Sequence, residues 1–303
     1  MGLSYRIALA GATGNLGTPM LEALLGAGYL VTVLSRIGGN SSRLKPHPNI
    51  TSKEVDFTSV ESLTTALSGV QVVVSCLATL AIGSQNPLID ASVAAKVKRF
   101  IPAEFGMDSK NALSMELPVC APKVATQNYL LEKSVSNPGF TYTGIANGLF
   151  LDWCIAAGII VNPKNRSATL YNGGDVPFTA TTLRDVAKAV LGVISHQEDT
   201  VNRIVYVQSA LVTQRKLIQY AQEADGKEWD VVVKSTEEVK QESFRELAKG
   251  SEGDIDAAML GFCILASWTP EYGCDFSSHL DNELLGVKEM SETELSTLIG
   301  SYL

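Results

Sequence analysis

The 303-residue chain is expected to adopt an α/β fold, a doubly wound parallel sheet followed by a smaller, mainly helical C-terminal domain. Three observations predict this. Gly11, Gly14 and Gly17 follow an apolar run and open a helical pattern. Strand and helix patterns alternate through residues 1–110. The strands are apolar along their whole length, as a sheet covered by helices on both faces requires. Crossovers in such a sheet are right-handed, and ligands settle beyond the carboxyl ends of the strands.

Ile7-Ala8-Leu9-Ala10 is the first strand, and Met20 to Leu25 carry the first helical pattern. Residues 29–34 and 50–57 read as the second and third strands. A helix at 62–67 ends before Gly69, and 70–77 is an apolar fourth strand. Residues 87–98 form a helix with Pro87 at its start and Leu88, Ala91 and Ala95 on one face. A fifth strand lies within 97–102. Residues 103–122, holding Gly106, Pro118 and Pro122, form a loop long enough to be functional. A helix at 121–133 leads to a sixth strand at 140–145. Beyond Asn147 the periodicity loosens. Helices are expected at 183–194, 213–224 and 236–247, with a short strand at 204–207. The glycine- and charge-rich stretch 242–256 reads as an exposed bend. Residues 1–150 are thus the nucleotide domain and 151–303 the substrate domain, with segments near 183–208 returning to the sheet.

Composition narrows the function. Apolar residues make up 46% and charged ones 18%, an ordinary globular balance. A net charge of −8 leaves no basic surplus for a phosphate backbone, so no nucleic-acid partner is expected. The apolar runs fall short of the roughly 20 residues that span a bilayer, and no membrane partner is expected. Cys76, Cys120, Cys154, Cys263 and Cys274 form no C-x-x-C pair, which reads as a reduced chain of the cytoplasm without a structural zinc site. Met1-Gly2-Leu3-Ser4-Tyr5-Arg6 has arginine where an acylation signal needs serine or threonine. A homodimer is one assembly open to the chain.

The loop Gly11-Ala12-Thr13-Gly14-Asn15-Leu16-Gly17 suits a pyrophosphate. Glycines let the backbone approach with no Cβ in the way, and the helix start offers free N–H groups and a partial positive charge. A strand–turn–helix connection that binds nothing is the alternative. Nicotinamide dinucleotide binders usually place an acid at the end of the second strand for the ribose 2′-OH. This chain has Ser35-Arg36 there, with Asn40, Ser41, Ser42 and Arg43 beyond, and an arginine suits a 2′-phosphate. NADP(H) is therefore the expected cofactor. Asp56 either contacts the adenine or caps the next helix. Leu77 and Ala78, after the fourth strand, are placed to line the nicotinamide-side ribose.

The histidines, His47, His196 and His279, are isolated, and no metal site is expected. Two lysines compete for proton chemistry. Tyr129-x-x-x-Lys133 has the spacing of short-chain dehydrogenases, but Lys133 sits toward the far end of its helix. Lys123 opens that helix at the carboxyl edge of the sheet, which favours it.

Gly11 to Gly17 together with Arg99-Phe100-Ile101-Pro102-Ala103-Glu104-Phe105-Gly106 resemble the isoflavone reductase-like and NmrA-like branch of the atypical short-chain dehydrogenases. Residues 85–90, Thr141-Tyr142-Thr143 and Asn147-Gly148-Leu149-Phe150 fit the same pattern, and the likeness covers roughly residues 5–190. It implies a Rossmann domain binding NADP(H), with Asn147 in the cofactor set. It implies one catalytic lysine, at Lys123. Val119 occupies the slot of the usual catalytic tyrosine, which makes Tyr129 and Lys133 a decoy. The implied function is hydride transfer from NADPH to a conjugated double bond, or a related electron-poor carbon, of an aromatic or other secondary-metabolite substrate. Lys123 would act as general acid or base, Phe105, Phe150 and Trp153 as aromatic walls and Asp152 as a polar contact. Cys120 and Cys154 are near enough in sequence to line the pocket, though buried thiols are ordinary core residues. A non-catalytic NADP(H) sensor and an isomerase or lyase are the rival readings.

Overall fold

In the computed structural model, which describes residues 5–303 apart from the side chains of Ser41 and Ser42, strand and helix alternate from the start. Of the segment Met1 to Arg6 read for acylation, the first four residues lie outside the described ones. The first half runs β1 (Arg6–Ala10), α1 (Gly17–Gly26), β2 (Leu30–Arg36), β3 (Ile50–Val55), α2 (Val60–Ala66), β4 (Val72–Ser75), α3 (Asn86–Ala94), β5 (Arg99–Ile101), α4 (Ala112–Met115), α5 (Ala121–Ser136) and β6 (Thr141–Ala146). Then come β7 (Leu149–Phe150), α6 (Leu151–Ala156), β8 (Ser167–Tyr171), β9 (Phe178–Thr181), α7 (Leu183–Ser195) and β10 (Arg203–Tyr206). The chain closes with β11 (Ala210–Val212), α8 (Gln214–Asp225), β12 (Asp230–Lys234), α9 (Thr236–Ala248), α10 (Ile255–Ser267), α11 (Asn282–Leu285) and α12 (Glu292–Gly300).

Seven strands make one parallel sheet in the order β10-β6-β5-β4-β1-β2-β3. Successive side chains of a strand point to opposite faces, and both faces are dry here. Ile7 and Leu9 of β1, Val72 and Val74 of β4 and Ile145 of β6 pack with Met20, Leu24, Val190 and Val193 from α1 and α7. Ala8, Ala10, Val73 and Phe100 pack on the other side with Leu63, Leu88, Ile89 and Leu130 from α2, α3 and α5. Two covered faces explain why these strands read as continuous apolar runs. Strand order reverses between β1 and β4, so the crevice of the fold opens beyond their carboxyl ends.

β10 joins the sheet far from its neighbours in sequence, and Arg99 pins it there. That side chain is 1% exposed. Its guanidinium donates to Thr141 Oγ1 (2.8 Å), Thr143 Oγ1 (2.5 Å), Thr200 Oγ1 (2.9 Å) and the Gln197 carbonyl (2.5 Å). Those acceptors belong to β6 and to the turn between α7 and β10. Burial pulls its pKa down to about 10, and neutral oxygens rather than a carboxylate solvate the charge.

The second half carries helices on two small sheets, β11-β9-β7 and the parallel pair β12-β8. Its core centres on Trp268, fully buried, stacked on Tyr171 at 4.9 Å and edge-on to Phe178 at 5.4 Å. The bend expected over 242–256 is corrected: α9 continues to Ala248 and α10 begins at Ile255. The charges in that stretch form a solvated helix face, with Lys249 on Glu246 at 2.6 Å, on a helix begun by a capping box between Ser235 and Glu238. Only residues 249–254 turn. Among the described residues no helix is long and apolar enough to cross a membrane.

Removing the Arg99 pin strips four acceptors of their donor. Arg99→Ala is expected to lower the stability of the protein by about 3 kcal/mol, read as a lower urea midpoint. An unchanged midpoint would show that the β10 edge is held by packing alone.

Candidate active site

The turn between β1 and α1 is shaped by contacts of backbone on backbone. Gly11 has φ +81°, and a Cβ there would lie 2.3 Å from the Cys76 carbonyl oxygen. At Gly17 a Cβ would lie 1.9 Å from the Gly11 carbonyl oxygen. Gly14, whose N–H donates to Gly11 O at 3.0 Å, has more room, its nearest neighbour standing at 3.3 Å. Gly11 and Gly17 are therefore dictated by the turn itself, while Gly14 borders open space. The helix cap, Leu16, makes no side-chain bond, and the first turn of α1 carries no acid. The Thr18 N–H is spent on the Gly14 carbonyl at 3.0 Å and residue 19 is proline, so among the described residues the N–H groups of Asn15, Leu16 and Gly17 and the positive dipole end are left for an outside anion.

That turn forms one end of a cleft of about 740 Å³ over the carboxyl ends of β1, β2 and β4. Gly11, Thr13, Gly14, Asn15, Leu16, Arg36, Leu77, Ala78, Phe105, Phe150 and Trp153 all border it. Sequence reasoning missed Phe57, Thr79, Ile82 and Leu183, which line the same space; the only signal for them was position after strands three and four or at a helix start. Arg36 is the sole charged side chain on the cleft, and its guanidinium has no partner among the described residues. At the opposite end Phe150 and Trp153 meet edge-to-face, centroids 6.5 Å apart. The cleft is thus cationic at one end and aromatic at the other.

Five expected site residues do not border the cleft. Gly17 is buried at the head of α1. The carboxylate of Asp56 accepts from the N–H (2.8 Å) and hydroxyl (2.7 Å) of Thr58, which hold it below the usual carboxylate range. Ser59 caps α2 instead, so the capping role read for Asp56 is corrected. Asn147 is buried, its N–H donating to the Gly106 carbonyl at 3.0 Å and its Oδ1 left without a partner. Asp152 accepts from the N–H groups of Leu183 and Trp153, at 3.0 and 2.9 Å. It ties α6 to the head of α7, so the substrate contact read for it is corrected.

Lys123, the fifth, stands directly behind Phe105. It lies in the first turn of α5, 4% exposed. Its ammonium donates to the carbonyls of Glu104 (2.5 Å) and Phe105 (3.0 Å). Gly106, at φ +132°, leaves space for it; a Cβ would stand 3.2 Å from Nζ. The Glu104 carboxyl is itself buried, accepting from Ser109 and from Gln127 at 3.1 Å. Burial pushes this carboxyl upward, against the opposing pull of Lys123. Two acceptors occupy two of the three ammonium hydrogens, leaving one. Tyr129 and Lys133 are spent elsewhere, on Asp90 of α3 at 2.7 and 2.6 Å. Cys120 and Cys154 are buried, and burial pushes both thiols up to about 12, so they stay protonated and inert.

Comparison with known proteins places this geometry. Residues 4–256 match the NmrA-like family. The oxidoreductase poxI of Penicillium oxalicum is 31% identical across 97% of this chain and 93% of its own length. The oxidoreductase aprR of Aspergillus flavus is 32% identical across 98% of this chain and 100% of its own. A solved structure described as AtPrR2 with NADP+ and (+)pinoresinol superposes with a TM-score of 0.72, covering 100% of both chains at 23% identity. That likeness establishes a shared fold.

The glycine contacts predict unequal tolerance. Gly17→Ala forces backbone apart and is expected to cost at least about 2 kcal/mol, against under about 1 for Gly14→Ala. Thermal melts of the two variants measure the difference, and equal losses would contradict it.

Proposed function

The chain belongs to the NmrA-like family, and on that premise we propose that it is an NADPH-dependent reductase acting on a conjugated double bond, or a related electron-poor carbon, of an aromatic or other secondary-metabolite substrate. The observation that carries this reading is the single cleft with an anion cradle and an unpaired arginine at one end and aromatic walls at the other.

The residues present suit a phosphorylated dinucleotide. The Gly11–Gly17 turn admits no Cβ at its two ends and leads a helix with an uncapped start, the arrangement that receives a pyrophosphate. Arg36 ends β2 with a free planar fork of donors, suited to a 2′-phosphate. When bound, the reduced nicotinamide supplies a hydride. Phe105, Phe150 and Trp153 would hold a flat apolar substrate by contact area, and among the described residues no carboxylate on the cleft wall repels electron-rich rings. Lys123 would supply the proton. Its ammonium is fixed by two carbonyls directly behind Phe105, and its remaining N–H would act from there, through a bridging water, to steady negative charge left on the substrate as it is reduced. The dry surroundings strengthen that interaction.

Titration of NADPH and NADH into the protein, followed by a screen of aromatic enones at the absorbance of the reduced nicotinamide, tests the reading. NADPH is expected to bind in preference to NADH, with Arg36→Ala losing roughly tenfold of that preference; an unchanged preference refutes the role of Arg36. Lys123→Ala is expected to lower kcat/KM by about a hundredfold or more with NADPH affinity retained. Full activity in that variant overturns the role of Lys123, and tight binding without turnover on any substrate favours a cofactor-sensing regulator instead.

A further inference from the structure

β12 is the outer strand of its two-stranded sheet, paired with β8 on one side only among the described residues. Its central residues, Val231, Val232 and Val233, are 39%, 58% and 62% exposed. Free edges are usually blunted by proline, by a bulge or by charge along the strand. Here three β-branched residues sit in the middle and the charges stand only at the ends, Asp230 and Lys234.

The hydrogen-bond parity of the strand is fixed. The Asp230 N–H donates to the Arg166 carbonyl at 2.8 Å, and Asp230 is in register with Ser167. A ladder alternates, so residues 230, 232 and 234 turn their peptide groups toward β8 while Val231 and Val233 turn theirs outward. The segment Asp-Val-Val-Val-Lys is also complementary to its own reversal. Laid antiparallel on a second copy and centred on Val232, Val231 meets the other Val233 as a hydrogen-bonded pair, and the reciprocal pair forms on the far side. Asp230 then faces Lys234 at both ends. A parallel arrangement sets like charges opposite each other, and a one-residue slip breaks both the charge match and the peptide parity.

We propose that β12 is a self-association edge, at which a second copy of this chain pairs antiparallel about Val232 to make a four-stranded sheet across a twofold axis. Lys234 arrives already ordered by Glu242 of its own chain, 2.5 Å away. Five residues a side bury less than the roughly 1,200 Å² of a stable interface. The dimer is accordingly weak and concentration-dependent, a minor species near about 1 µM and prominent toward about 1 mM.

Sedimentation of the full chain across that range is expected to move from monomer toward dimer; a monomer throughout overturns the proposal. Asp230→Lys is expected to abolish association, and Asp230→Lys with Lys234→Asp to restore it, a rescue that a merely weakened fold does not give. Val231→Pro removes an outward donor without touching the ladder to β8, and dimerisation is expected to be lost. Register is tested by oxidation. Val232→Cys stands opposite itself at a Cα separation of about 4.5 Å, within disulfide reach, and is expected to give a linked dimer where wild type and Val231→Cys give none. Dimers that survive Val231→Pro, or cross-linking equal at positions 231 and 232, would mean that another face associates and would refute this one.

Discussion

Three stretches of backbone meet at the head of the sheet with no space between them for a methyl group. Gly17 lies against the Gly11 carbonyl, and Gly11 against the Cys76 carbonyl beyond β4. This contact decides more than a turn. It draws the start of α1 over the end of β1, and it brings the chain leaving β4 alongside, where the Cys76 N–H bonds to Ala10 O at 2.9 Å. Strand order reverses between those same two strands. The crevice that every parallel sheet has at its switch point is therefore framed by main chain at this end, and its peptide donors need no side-chain order to be in place.

The other wall is assembled differently. The 104–106 turn folds around the Lys123 ammonium, Asn147 and Gly148 donate to the Gly106 carbonyl, and Glu104 is locked by Ser109 and Gln127. A lysine this buried must be solvated by something, and here two carbonyls do it. The same bonds hold Phe105 at the cleft. Orientation of the aromatic wall and placement of the Lys123 ammonium thus depend on one small network. A change to any member acts on both.

The first half of the chain was legible because its physics is local and repetitive. Two dry faces force near-continuous apolarity on β1 and β4, and only glycine fits the turn contacts. Arg36 was legible too, since the end of β2 must reach the crevice. The second half resisted because its strands pair across long separations, β12 with β8 through about sixty residues of intervening chain, and because β12 buries neither face. Asp152 looked like a substrate contact, but the partner that consumes it, the Leu183 N–H, lies thirty-one positions away. Side-chain satisfaction at that range leaves no trace in spacing. The same reason hid the Lys123 carbonyl cage, where the helix position was readable and the direction of the ammonium was not.

Charge is arranged against the average of the molecule. The chain carries −8 overall, which on its own discourages an anionic ligand. At physiological ionic strength, exposed charges more than about 8 Å away are largely screened. Within that radius the ligand end of the cleft holds Arg36 and the N-terminus of α1, and among the described residues no acidic side chain lines the cleft. Recognition of an anion here is consequently a contact effect and not a steering effect. It draws on a guanidinium with no partner among the described residues and on amides that the described fold leaves unpaired, so neither donor has to break a bond to a described residue in order to bind.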